Sequence, residues 1–99
     1  MAPPQPQRTQ TVTDAVKIAS GQLALLIPGA HNVLLEEVEI TDDDRYWLIT
    51  LGYIPPYQEA PAEKLFTPLG SSPREYKVFK IDRQSGEVRS MKIRERISV

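Results

Sequence analysis

Ninety-nine residues, 40% hydrophobic and 25% charged, with a formal net charge of −1, bound the chain to one small globular domain with a single core. That near-neutral balance lacks the excess of base expected of a nucleic-acid binder, and the absence of cysteine removes disulfides, thiolate zinc sites and thiol nucleophiles together. The N-terminal stretch MAPPQPQRTQT has no apolar signal-peptide region, and no run approaches the roughly eighteen apolar residues of a membrane span. A soluble, cytoplasmic protein is the expectation, although a leader removed beforehand would leave the same sequence.

Residues 1–10 form a Pro/Gln tail with almost nothing to bury, so disorder is expected there, ahead of a single domain over 11–99. In TVTDAVKIASGQLALLIPG, Thr11 or Thr13 can cap a helix. Thr11 with Asp14 makes a capping-box-like pair, and Asp14 suits the positive end of the helix dipole. Val12, Val16, Ala19, Leu23 and Leu26 recur at helical spacing, flanked by Ala15, Ile18, Gln22 and Leu25. Pro28 and Gly29 end the helix. Gly21 is a cost inside it unless something packs closely against that position.

Two alternating runs follow around the acidic tip Asp42–Asp44. Leu34, Val38 and Ile40 share one parity in the first, and Trp47, Ile49, Leu51 and Tyr53 share one parity in the second. The second run also carries Tyr46, Leu48 and Ile54 on the other parity, so that strand is expected to be covered on both faces and therefore central. Pro55 to Pro73 is a long loop with five prolines and little periodicity, of the kind that is functional or disordered in a compact domain. Tyr76, Val78, Phe79 and Ile81 make a third strand, and Val88, Met91, Ile93 and Ile97 a fourth. The turn from Asp82 to Glu87 joins them, with Gly86 free to take positive φ. The expected fold class is α+β: one N-terminal helix packed on a four-stranded antiparallel meander sheet.

The closing hairpin YKVFKIDRQSGEV, with Tyr76, Val78, Ile81, Asp82, Ser85, Gly86 and Val88, resembles the terminal hairpin of PepSY domains. The order of helix, Pro-Gly break and strands is similar over roughly residues 13–98 apart from the long loop. The resemblance implies a cystatin-like α+β fold and a role in binding or restraining a partner, with no catalytic residue set to carry over.

Charge is unevenly placed. From His31 to Glu63 there are eight acids against Arg45 alone, a net of −7, and from Arg74 to Val99 eight bases against four acids, a net of +4. Two readings stay open: the charges wet the sheet's free face and edges, or Lys92, Arg94 and Arg96, which share a parity on the last strand, form a patch for an acidic partner. Nucleic acid is not expected, because no stacking aromatics accompany these bases.

Catalysis and cofactors are not expected either. His31 is the only histidine and stands in a turn. Asp42, Asp43 and Asp44 lack the EF-hand spacing and read as a hairpin tip. Glu36 and Glu37, adjacent on a strand, point to opposite sides. Trp47 is assigned to the core.

In the long loop, Tyr57, Leu65, Phe66 and Leu69 are apolar groups that either make an adhesive patch or fold back over the sheet. The candidate partner contacts are therefore Tyr57, Leu65, Phe66, Lys92, Arg94 and Arg96. The functional expectation is a small non-catalytic protein-binding or regulatory module whose partner is another protein, with no membrane partner. Two alternatives are a self-associating accessory subunit, a homodimer included, and a small-ligand domain with a helix–sheet pocket offering Gln22, Tyr46 and Tyr53.

Overall fold

The computed structural model describes residues 9–56 and 74–94. It has one helix, α1 (Val12–Leu26), and four strands, β1 (His31–Ile40), β2 (Tyr46–Ile54), β3 (Glu75–Asp82) and β4 (Val88–Arg94). The strands pair antiparallel in the order β1-β2-β3-β4, so the expected α+β meander is the observed architecture.

The capping box starts α1 as the sequence requires. The Thr11 hydroxyl accepts from the Asp14 backbone N–H, and the Asp14 carboxylate accepts from the Thr11 N–H, satisfying two otherwise orphaned donors. The buried stripe of the helix is Ala15, Ala19 and Leu23, with Val16 and Ile18 at its flanks. The expected stripe is thus rotated: Val12 and Leu26 are 39% and 51% exposed, and Leu25 is 76% exposed. Two alanines at the centre let the helix backbone approach the sheet, and Ile27 and Ala30 just past its end pack against the core. Gly21 departs from expectation, since nothing lies within 4 Å of where its Cβ would stand.

The core joins that stripe to Ile49, Leu51, Tyr53, Phe79 and Ile81, each such side chain contributing on the order of 1.5–3 kcal/mol by leaving water. Trp47 packs at its border and donates its indole N–H to the Gln10 carbonyl at 2.9 Å, while the Gln10 N–H donates to the Arg83 carbonyl. The end of the segment read as tail is therefore tied to the β3–β4 turn. In that turn the Asp82 carboxylate accepts from the N–H groups of Gln84 and Ser85, and Gly86 adopts φ 77°. Asp42–Asp44 form the β1–β2 tip, with Asp43 accepting from the Thr41 hydroxyl at 2.6 Å.

β1 departs from the alternation expected of it. Its register on β2 shifts between Leu35 and Glu37, leaving Glu36 as the extra residue of a bulge. Leu34 pairs with Gly52 and Leu35 with Leu51, so Leu34 lies on the face opposite Val38 and Ile40.

Candidate functional site

Helix α1 covers one face of the sheet, and among the described residues no element lies over the other, called the uncovered face below, so β2 is central in strand order but covered by the helix on one side alone. Cross-strand pairing assigns the other face in rows: Glu39, Leu48, Lys80 and Ser90; then Glu37, Thr50, Val78 and Lys92; then Leu34, Gly52, Tyr76 and Arg94. Acids stand on β1 and bases on β4, and between them on β2 and β3 the apolar groups Leu48, Val78 and Tyr76 lie among Thr50, Gly52 and Lys80.

The middle of this face is strapped by a long-range contact. The guanidinium of Arg94 reaches across the sheet to the Glu37 carboxylate at 3.0 Å and donates to the Thr50 hydroxyl at 3.1 Å. Thr50, under the Arg94 side chain and on the face away from α1, is only 2% exposed. The Arg94 guanidinium holds the Glu37 carboxyl below its ordinary value, helped by a hydrogen bond from Glu39. Glu39 is pushed up, because it shares that hydrogen bond and a like charge with Glu37.

The bulge places a second acid on the same face. A Cβ at Gly52 would stand 2.8 Å from the Tyr76 ring and 3.0 Å from the Glu36 carboxylate. Glu36 therefore lies on the uncovered face beside Glu37, and adjacency does not send the two to opposite sides as simple alternation requires. Arg74, just before β3, donates to the Asn32 carbonyl at 2.8 Å and approaches Glu36 at 4.0 Å, so two arginines cross from the β3–β4 side to β1. Farther along, Tyr46 lies between cations, with the Lys80 ammonium 4.4 Å and the Arg45 guanidinium 5.2 Å from its ring centroid.

Of the expected partner contacts, Lys92 and Arg94 lie together on this face. Lys92 is exposed, whereas Arg94 is engaged by Glu37 and Thr50. Tyr57, Leu65, Phe66 and Arg96, with Leu69 and the 57–73 part of the loop, lie outside the described residues, as do residues 1–8. The pocket suggested by Gln22, Tyr46 and Tyr53 does not form as a convergent set. Tyr46 pairs with Asp82 on the uncovered face, while Tyr53 lies in the core on the helix side and donates its hydroxyl to Glu75 at 3.2 Å. His31 opens β1, exposed, with Nδ1 3.1 Å from the Gly29 carbonyl.

Sequence reasoning passed over Thr50, Gly52 and Tyr76 as parts of this face. A glycine in the middle of an otherwise bulky strand was the available signal, since it marks a close approach by a neighbour. Among the described residues no three His, Asp or Glu groups gather so as to hold a metal ion, and no helix is long and apolar enough to cross a membrane. The chain has no significant match among family models, curated proteins or solved structures.

Proposed function

We propose that the chain is a small non-catalytic protein-binding or regulatory module of the cytoplasm, PepSY-like in fold, that meets its partner through the uncovered face of the sheet. One observation carries the reading: this face keeps Leu34 at 55% exposure and leaves Tyr46, Leu48, Tyr76 and Val78 half-buried between an acidic and a basic border. Apolar groups held at partial exposure on a rigid sheet offer area to a partner at little ordering cost, and charged borders set its orientation. The PepSY-like part of the proposal is supported by the order of helix, Pro-Gly break and antiparallel strands, and by the Asp82-Ser85-Gly86 turn that carries the resemblance.

The test is affinity capture from lysate of the source cells with the wild-type chain, a Leu48→Lys variant on the uncovered face and a Leu25→Ser variant at the helix end. A protein retained stoichiometrically by the wild type and by Leu25→Ser, and lost with Leu48→Lys while circular dichroism stays unchanged, supports the reading. Retention by Leu48→Lys contradicts it.

A further inference from the structure

The two edges of the sheet differ in charge. β1 carries Glu36, Glu37 and Glu39, and β4 carries Arg89, Lys92 and Arg94; Glu36 meets Arg74, Glu37 meets Arg94 and Arg89 meets Glu87 within the chain, so Glu39 and Lys92 are the edge charges that the pairing argument rests on, and among the described residues no strand pairs with the outer side of either edge. Charges that only discourage edge pairing work with either sign, and like charges on both edges would oppose every pairing. Opposite charges are selective. They oppose β1 against β1 and β4 against β4 of another copy, and favour only β1 against β4.

We propose that β1 of one copy pairs antiparallel with β4 of a second copy, extending the sheet from molecule to molecule. This surface is the pair of edges, so it stands apart from the face reading above.

Strand direction and register agree with it. Directions alternate along β1-β2-β3-β4, so a β4 added outside β1 with the same orientation of the molecule is antiparallel to it. The register that sets Glu39 opposite Lys92 also sets Val38 opposite Ile93 and Ile40 opposite Met91. On its own sheet each of these residues lies on the same side as its new partner: Glu39 and Lys92 on the uncovered face, the four apolar residues on the helix side. The pairing therefore keeps both helices on one side of a continuous sheet. It also covers Ile93, 79% exposed, and Ile40, 40% exposed, the two exposed large apolar groups at these edges that this register brings to the contact. Because the contact is heterologous, it closes into a ring or runs on as a filament, and does not stop at a two-fold dimer.

The experiment is sedimentation velocity of the whole chain from about 10 μM to about 1 mM in low salt, a range that spans the weak affinities expected of a single strand pair. Glu39→Lys and Lys92→Glu are run alone and as an equimolar mixture. The wild type is expected to associate with rising concentration and to weaken in about 0.5 M salt, where screening shortens to a few ångströms. Each reversal alone is expected to lower the association constant about tenfold, since it turns an attractive cross-strand pair into a repulsive one. The mixture restores it, because alternating copies place Lys opposite Glu at every contact. Circular dichroism of each variant, and the mixture itself, separate lost pairing from lost fold. A wild type that stays monomeric throughout overturns the proposal. So does association indifferent to both reversals, or a mixture no better associated than its parts.

Discussion

At the scale of single residues, the strap across the uncovered face depends on one cation. With Arg94 beside it, Glu37 has a folded-state pKa below the ordinary value, so its contribution to stability is present above that value and is lost as pH falls through the lowered one. Glu39 has the opposite sign: its raised pKa favours the protonated form in the fold, so its contribution declines as pH rises through the region just above the ordinary carboxylate value. Carboxyl-detected NMR titration is expected to find Glu37 below and Glu39 above the ordinary 4.5. Arg94→Met should move Glu37 upward. Two carboxyls titrating together in the wild type would remove the strap. The glycines make a contrasting pair. Gly21→Ala should raise stability by about 0.5–1 kcal/mol, because its helical position has open space and alanine restricts only the unfolded chain. Gly52→Ala should lower it by about 1–3 kcal/mol, because the added methyl meets the Tyr76 ring and the Glu36 carboxylate. Thermal unfolding of both variants checks the two signs together, and a fall for Gly21→Ala would mean that a neighbour packs there after all.

At the scale of elements, α1 is held at its start by the capping box and along its length by Ala15, Ala19 and Leu23. Thr11→Ala leaves the Asp14 N–H without its acceptor and is expected to cost about 0.5–2 kcal/mol, read as a lower midpoint in thermal unfolding, while Thr11→Asn should keep most of the stability. The element order, the cap, the central position of β2 and the positive φ at Gly86 were legible in the sequence because each rests on local chemistry: a periodicity, a cap residue three positions from its partner, a glycine in a turn. What was not legible depends on pairing between distant segments. The bulge at Glu36 reverses the alternation of the first part of β1, and no period-2 count along VLLEEVE reveals where the extra residue falls. Leu34 and Glu36 consequently stand on the face that simple alternation denies them. Gln10 looked like tail because its partners, the Trp47 indole and the Arg83 backbone, are supplied by strands and turns far along the chain. The Arg94 contact with Glu37 was hidden for the same reason: the two residues stand on opposite edges of the sheet.

At the scale of the whole molecule, the charge asymmetry seen along the chain becomes an asymmetry in space, because a meander lays sequence order out as strand order. The acidic half of the described chain supplies β1, the basic half supplies β4, and the apolar groups of β2 and β3 lie between them on a face that α1 does not reach. The two proposals fall on separable surfaces, the face for a partner and the pair of edges for further copies. They respond to different substitutions: Leu48→Lys addresses the face, and Glu39→Lys with Lys92→Glu the edges.

The central claim is that the uncovered face is where a partner is met, and methyl NMR of the isotopically labelled chain in lysate of its source cells tests it most directly. Line broadening or shifts are expected at the Leu34, Leu48 and Val78 methyls, with the Leu25 and Val12 methyls on the helix unchanged, and the effects at Leu34 and Val78 should vanish in Leu48→Lys. Perturbation confined to the helix methyls, or spectra identical with and without lysate, would contradict the account.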